Sequence, residues 1–249
     1  MYKNTATPWP KEQDAVTPLR GYQELVFQHQ LANERCNCWV FMGGGKTRAT
    51  LEMLNYLYGC GFESRPTLVL APLRVARSVW PAEARKWKHL DLEVSAIVGT
   101  EAERLRALKR DAPVYSINYE NLPWLTNKLR GKWPFGAVVA DESTKLKGHR
   151  LNSGGLRAGA LAKVAHQTPR WINLTGTPSP NGLIDLWGQQ WFVDQGARIG
   201  AGDAGIGGAQ MTQPTEAVQL RRPFIGWRIE FERRAAVADH HLAGECEPA

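Results

Sequence analysis

The residues best suited to chemistry form a short glycine-rich segment after an apolar stretch: Gly43, Gly44, Gly45, Lys46 and Thr47. Glycines let the chain turn with positive φ and bring backbone N–H groups close to phosphate oxygens. Lys46 would then reach the β- and γ-phosphates, and the Thr47 hydroxyl would bind Mg²⁺. The usual pattern has a further glycine where this chain has Val40. The segment predicts a nucleoside triphosphate site, and a glycine-rich turn without a ligand is the alternative.

Two adjacent carboxylates, Asp141 and Glu142, follow the apolar run 137–140. Beside a phosphate loop, Asp141 would hold Mg²⁺ through water, and Glu142 would orient and deprotonate the attacking water. A solvated acidic turn is the alternative. A third segment, Thr175-Gly176-Thr177, also follows an apolar run and ends in a proline. Its hydroxyl groups could hydrogen-bond the carboxylate pair and relay the state of the γ-phosphate, although such turns are common.

Alternating apolar runs and helical patterns position these residues. Strands are predicted at Asn37–Met42, Thr67–Leu70, Leu92–Val98, Val114–Ile117, Ala137–Ala140 and Trp171–Thr175. Helices are predicted at Gln23–Asn33, Thr47–Tyr58, Val75–Trp87, Glu101–Arg110 and Leu156–His166. Short apolar strands separated by helices indicate an α/β fold, with a mostly parallel sheet, helices on both faces and ligands at the strand carboxyl ends.

Three regions are predicted along the 249 residues: an extended arm at 1–17, one domain at 18–195, and an atypical tail at 196–249 that is poor in periodic pattern. The formal net charge of +7 favours a polyanionic partner such as nucleic acid. Cys36 and Cys38 make a poor zinc signature, because neither a second cysteine pair nor a nearby histidine accompanies them. No apolar run suggests a signal peptide or a membrane span, so a cytoplasmic location is expected.

The motif order G-x-G-K-T, D-E-S-T and T-G-T-P resembles that of superfamily 2 helicase-type ATPases, most closely the Swi/Snf-type branch and its phage relatives. Residues 19–23, 68–74, 115–120 and 174–186 resemble further blocks of that family. The resemblance implies a RecA-like P-loop NTPase fold that uses ATP and Mg²⁺ and acts on DNA. It implies ATP contacts from Arg20, Tyr22 and Gln23. It also implies coupling by Thr175, Gly176 and Thr177, and nucleic-acid contacts from Pro72, Leu73, Arg74, Asn118 and Tyr119.

Two departures from that family are visible. Thr144 stands where the family usually has a histidine, so the coupling of hydrolysis to DNA could differ. The family also has a second RecA-like lobe with arginine fingers, and no matching block follows Trp191. The chain therefore resembles the first lobe alone, and a second lobe in trans is an expected partner. Two alternatives stay open: an ATP- and DNA-binding module with negligible hydrolysis, and an unrelated phosphate-loop kinase.

Two basic runs are interpreted as phosphate contacts, with a solvated face as the alternative: Arg74, Arg77, Arg85, Lys86 and Lys88, and then Lys145, Lys147, His149 and Arg150. Four tryptophans are expected in the core rather than as platforms for bases: Trp80, Trp87, Trp124 and Trp133.

Overall fold

The computed structural model describes residues 17–149, 155–182, 184–195 and 218–219. Its strands are β1 (Arg35–Trp39), β2 (Thr67–Ala71), β3 (Val94–Ile97), β4 (Val114–Asn118), β5 (Ala137–Asp141), β6 (Arg170–Thr175) and β7 (Val218–Gln219). They form one sheet in the order β3-β4-β2-β5-β6-β1-β7, and every neighbouring pair is parallel. The predicted parallel α/β fold is confirmed.

The helices are α1 (Gly21–Ala32), α2 (Lys46–Gly59), α3 (Trp80–Lys86), α4 (Glu101–Leu108), α5 (Leu122–Leu129), α6 (Leu156–Ala165) and α7 (Ile184–Asp194). A π-helical turn at Val75–Val79 precedes α3, and 3₁₀ turns lie at Tyr119–Asn121 and Ser143–Leu146. The sequence patterns did not predict α5 or α7. In the described residues, no helix is long and apolar enough to cross a membrane.

Two predicted elements end or divide differently in the structure. The strand predicted to end at Met42 ends at Trp39, because Phe41 and Met42 are exposed and belong to the loop. The single helix predicted at 75–87 is divided. Trp80 N–H donates to the carbonyl of Val75, five residues earlier, and Pro81 has no N–H for an ordinary helical bond.

Each face of the sheet is covered by its own hydrophobic cluster. Val69 and Ala71 of β2 belong to the cluster under α1, α2 and α3. Leu68 and Leu70 of the same strand belong to the cluster under α5, α6 and α7. Successive side chains of a strand point to opposite faces, so a strand buried on both faces reads as a continuous apolar run. The predicted helices on both faces are confirmed.

The four tryptophans divide into two pairs. Trp80 and Trp133 are buried, as expected. Trp87 and Trp124 are half-buried, and each lies beneath a guanidinium group: that of Arg48 at 3.4 Å from the ring centroid and that of Arg104 at 4.5 Å. Such stacking fixes the rings within this chain. The predicted arm and tail lie outside the described residues, apart from position 17 and the two residues of β7.

Candidate nucleotide site and its family

The glycine-rich loop joins β1 to α2 at the carboxyl edge of the sheet. Gly43 and Gly45 have φ values of 77° and 69°, and α2 begins directly after Gly45. The backbone N–H groups of the first helical turn therefore point into the loop, where the positive end of the helix dipole favours an anion. Lys46 Nζ donates to the carbonyl oxygens of Val40 and Phe41 at 3.0 and 3.3 Å, which keeps its ammonium group over the loop.

Neighbouring groups lie close to the two central glycines of the loop. A Cβ atom on Gly44 would lie 2.7 Å from Cγ1 of Val40. A Cβ atom on Gly45 would lie 1.9 Å from Nε2 of Gln23. Such a cradle of exposed backbone with one lysine matches the phosphates of a nucleotide, so the residues present fit the predicted ATP.

The residues predicted to read the base lie against this loop. Gln23, in the first turn of α1, contacts Gly45, and its Oε1 accepts a 3.0 Å hydrogen bond from the backbone N–H of Arg20. The ring of Tyr22 lies 5.8 Å from that of Phe41. Nη1 of Arg20 donates to the Tyr22 hydroxyl at 3.4 Å. The structure therefore brings all three predicted residues to one side of the phosphate loop.

Asp141 ends β5 as a buried carboxylate. Its Oδ2 accepts a 3.0 Å hydrogen bond from the indole N–H of Trp80. Burial raises the pKa of Asp141, and the neighbouring Glu142 carboxylate adds to that rise. The bond from Trp80 and the charge of Lys46 act in the opposite direction. A divalent cation would compensate the buried charge, so this carboxylate and the Thr47 hydroxyl are a donor set that fits Mg²⁺.

Glu142 occupies an unusual backbone conformation. Its φ of 58° and ψ of 53° lie in the left-handed region, which costs an L-residue about 1–2 kcal/mol. Non-glycine residues in this region persist where surrounding structure holds them, and they cluster at functional sites. The conformation ends β5 abruptly and begins the 3₁₀ turn at 143–146. The predicted base therefore directly follows Asp141 at the carboxyl end of β5, with its backbone in the left-handed region.

Thr175, Gly176 and Thr177 pack directly on the phosphate loop. The carbonyl of Thr175 accepts a 3.1 Å hydrogen bond from Val40 N–H. A Cβ atom on Gly176 would lie 3.2 Å from the backbone nitrogen of Met42. Oγ1 of Thr175 accepts a 3.1 Å bond from the N–H of Thr177, which orders the turn. The three predicted motifs thus meet at the carboxyl ends of β1, β5 and β6, which are neighbours in the sheet.

A residue that sequence reasoning missed connects two of these motifs. Oε1 of Gln189, on α7, accepts a 2.7 Å hydrogen bond from Oγ of Ser143. Nε2 of the same side chain donates to the carbonyl of Pro178 at 2.7 Å. The backbone carbonyl of Gln189 accepts a 2.9 Å bond from Nδ2 of Asn173 on β6. A glutamine within an unrecognised helix offers no local signal, so only the docking of α7 shows this bridge.

The protein-family model described as SNF2-related domain matches residues 25–196 of this sequence. This chain belongs to the SNF2-related domain family. The match contains all three motifs and runs from α1 to just after α7.

The chain matches only part of the length of two of its relatives. Protein p41 of Acyrthosiphon pisum secondary endosymbiont phage 1 is 58% identical over 184 residues, which are 73% of this chain and 40% of p41. The ATP-dependent DNA helicase DDM1 of Arabidopsis thaliana is 29% identical over 163 residues, which are 61% of this chain and 20% of DDM1. The chain therefore spans less than half of each.

A solved structure supports the fold. The Sulfolobus solfataricus SWI2/SNF2 ATPase core in complex with dsDNA superimposes with a TM-score of 0.59 at 24% identity. The alignment covers 76% of the SNF2-related chain and 38% of the Sulfolobus protein. Together with the parallel sheet, this establishes the predicted RecA-like helicase fold.

The residues predicted to contact nucleic acid divide into two groups. Pro72, Leu73 and Arg74 follow β2, and the side chains of Leu73 and Arg74 are exposed. Asn118 and Tyr119 are buried at 5% and 1% exposure, which corrects their prediction as side-chain contacts to DNA.

Both buried side chains have partners inside the chain. Tyr119 donates its hydroxyl hydrogen to the carbonyl of Asp141 at 2.8 Å, so it supports the acidic motif from below. Nδ2 of Asn118 donates to Glu120 at 2.9 Å. Burial raises the pKa of Tyr119 well above its ordinary value, so the phenol is neutral at physiological pH. The side chains of Asn118 and Tyr119 therefore pack within the chain rather than forming an exposed surface.

The two basic runs also differ from their prediction. Five basic residues around α3 are exposed: Arg74, Arg77, Arg85, Lys86 and Lys88. In the second run, Lys147 forms a 3.2 Å ion pair with Asp185, and His149 is buried against the rings of Trp191 and Phe192. These two side chains are part of the packing of α7 and are not phosphate contacts, whereas Lys145 is exposed and Arg150 lies outside the described residues.

Proposed function

We propose that this chain is the ATP-binding lobe of an ATP-dependent DNA translocase or helicase. The observation that carries the proposal is the meeting of three motifs at neighbouring strand ends, with Lys46, Asp141 and Gly176 arranged around one glycine cradle. In open α/β sheets, ligands bind outside the carboxyl ends of the strands. Membership of the SNF2-related family and the similarity to DDM1 support ATP as that ligand and DNA as the polymer acted on.

Each residue of the cradle has a proposed task. The N–H groups of the loop 43–47 and the ammonium group of Lys46 bind the phosphates. Thr47 and Asp141 would hold Mg²⁺, which would supply neutralising charge to the phosphates. Glu142 orients the attacking water and accepts its proton, because it directly follows Asp141 at the end of β5. Arg20, Tyr22 and Gln23 surround the base, and Thr175 and Thr177 couple the site to DNA.

DNA is proposed to bind along the exposed segment 72–74 and the basic face of α3. Contacts from such residues go to phosphates, so the affinity is independent of sequence and falls with salt. A bacterial or phage-infected host cytoplasm is the proposed location.

The catalytic site is proposed to be completed by a second lobe. The chain spans 40% of p41, and the family match ends at residue 196. In phosphoryl transfer, an arginine finger contributes about 10³–10⁵ of the rate where one is used. An ATP- and DNA-binding module with negligible hydrolysis on its own is therefore the second candidate function, and the same partial coverage favours it.

The test measures ATP turnover on duplex DNA by the chain alone and with the unmatched part of p41 added as a separate protein. The proposal expects slow turnover alone and at least a tenfold gain with the partner. Glu142→Gln is expected to abolish this gain while ATP still binds. No ATP binding by the chain contradicts the proposal. ATP binding without any gain from the partner favours the module.

A further inference from the structure

The buried thiols of β1 lie next to a histidine of the neighbouring helix. Cys36 and Cys38 are two residues apart on β1, so both side chains point to the same face of the sheet. Their sulfur atoms are 4.0 Å apart. His29 is in the last turn of α1. One ligand atom from each of the three residues lies within 4.8 Å of the other two. The two cysteines alone make a poor zinc signature because no histidine lies close to them along the chain. In the structure, the packing of α1 on β1 brings His29 next to them.

The spacing of these atoms suits a small cation that prefers sulfur and nitrogen. Zinc binds thiolate sulfur at about 2.3 Å and imidazole nitrogen at about 2.0–2.1 Å with tetrahedral angles. Two thiolates on such an ion are therefore about 3.8 Å apart. The observed 4.0 Å between the sulfur atoms is within a few tenths of an ångström of that edge.

The surroundings of the cluster are polar rather than wholly apolar. Nε2 of Gln30 lies 3.5 Å from Sγ of Cys38 and donates to Thr50 at 3.0 Å. Oε1 of Gln30 is buried and has no hydrogen-bond partner among the described residues. The Gln30 amide is therefore a polar neighbour of the Cys38 thiol.

A positive charge also lies beside the thiols. The Arg170 guanidinium is held by the Gln30 carbonyl at 2.7 Å and favours the ionised form of Cys36. The hydrogen bond with Cys38, followed by burial, raises the pKa of Cys36 well above its ordinary value. A thiol that binds the ion as a thiolate would release its proton to solvent as the metal–sulfur bond forms.

We propose that His29, Cys36 and Cys38 form a binding site for a zinc-class ion. The ion would link the last turn of α1 to β1 through these three ligands. The first turn of α1 carries Gln23, and β1 leads into the phosphate loop, so the site would lie behind the nucleotide pocket without being part of it. The proposal does not depend on ATP being the ligand of that pocket.

The experiment titrates the reduced full-length chain with Co²⁺, a spectroscopic substitute for zinc, and then with Zn²⁺. The expected result is one ion per chain, a near-ultraviolet thiolate-to-cobalt band with the visible bands of tetrahedral cobalt, and displacement by one equivalent of zinc. Cys36→Ser, Cys38→Ser and His29→Gln are each expected to weaken binding at least tenfold. Cys60→Ser and His166→Gln, which change exposed residues, are the matched controls.

A parallel variant replaces the histidines at 240 and 241 and the cysteine at 246, which could also bind metal and lie outside the described residues. It is expected to bind cobalt like the natural chain. Absence of the thiolate band in the folded natural chain overturns the proposal, as does an affinity of Cys36→Ser for cobalt equal to that of the natural chain. A second measurement needs no variant. Zinc is expected to slow alkylation of Cys36 and Cys38 at least tenfold while leaving Cys60 unchanged. Equal rates with and without zinc overturn the proposal.

Discussion

Oγ of Ser143 donates a 2.7 Å hydrogen bond to Oε1 of Gln189, so α7 is joined directly to the acidic motif at the end of β5. The same glutamine donates to the carbonyl of Pro178. One buried side chain therefore connects the segment that carries Glu142 with the segment that carries Thr175 and Thr177. A change at one motif has a direct route to the other, through a residue with two fixed hydrogen bonds.

Gln189→Leu should destabilise the protein by about 1–3 kcal/mol, because it leaves the buried Ser143 hydroxyl without this partner and removes the bond to the half-buried Pro178. The free energy of unfolding in urea measures the loss. Gln28→Leu is the control. Gln28 lies in α1 and makes an exposed side-chain hydrogen bond with Glu24 of the same helix, and such a bond contributes about 0.2–0.5 kcal/mol. Equal stabilities for the two variants would show that the bridge has no structural weight.

Gly45→Ala should weaken ATP binding, because its methyl group would displace the Gln23 amide from the loop, and Gly61→Ala should not. Both glycines have positive φ, 69° and 73°, so both variants carry about 1 kcal/mol of backbone strain. Only at Gly45 would the new methyl group meet another residue, Gln23 at 1.9 Å, whereas nothing lies within 4 Å of a methyl group at Gly61. Titration with a fluorescent ATP analogue measures both. Weaker binding in both variants, or in neither, would contradict the cradle.

Asp141→Asn should raise the thermal midpoint at pH 7. The pKa of Asp141 is higher in the folded protein than in the unfolded chain, so the folded state binds this proton more tightly. Stability then falls as pH rises through the window between the two values, and the neutral asparagine escapes that loss. An amide oxygen still accepts the bond from Trp80.

The advantage of Asp141→Asn over the natural chain should shrink as pH falls through that window, because Asp141 is then protonated. Asp91→Asn, at an exposed side chain, is the control and should show no such trend. A midpoint for Asp141→Asn that is lower than that of the natural chain at pH 7 would refute the assignment of burial as the dominant influence on Asp141.

The sequence predicted what depends on short contiguous motifs. Lys46, Asp141 and Thr175 each follow an apolar run that forms a central strand, and parallel strands bring their carboxyl ends together whatever the helices do. Gln189 was missed because its role depends on how α7 docks. Tyr119 was predicted wrongly because a tyrosine just past a strand end can point outward or inward, and here it packs beneath Asp141. His29 and Cys36 belong to different elements, so their proximity follows only from the packing of α1.

Arg74→Ala should weaken DNA binding about equally for all sequences. It should also lower the slope of log affinity against log salt by about 0.9, the value for one lost phosphate contact on duplex DNA. Fluorescence anisotropy with two unrelated duplexes at several salt concentrations measures both effects. Lys163→Ala removes an exposed charge on α6 and should leave the slope unchanged. An unaltered slope for Arg74→Ala would place the DNA elsewhere.

The central claim is tested most directly by the affinity of Lys46→Ala for MgATP. Lys46 is held over the loop by the carbonyls of Val40 and Phe41, where the phosphates of ATP are proposed to bind. The account predicts that calorimetric titration shows one MgATP per natural chain. It predicts that Lys46→Ala raises the dissociation constant at least about 100-fold, or about 2.8 kcal/mol. Lys88→Ala, an exposed lysine, should bind like the natural chain. Equal affinity of Lys46→Ala and the natural chain would contradict the nucleotide site.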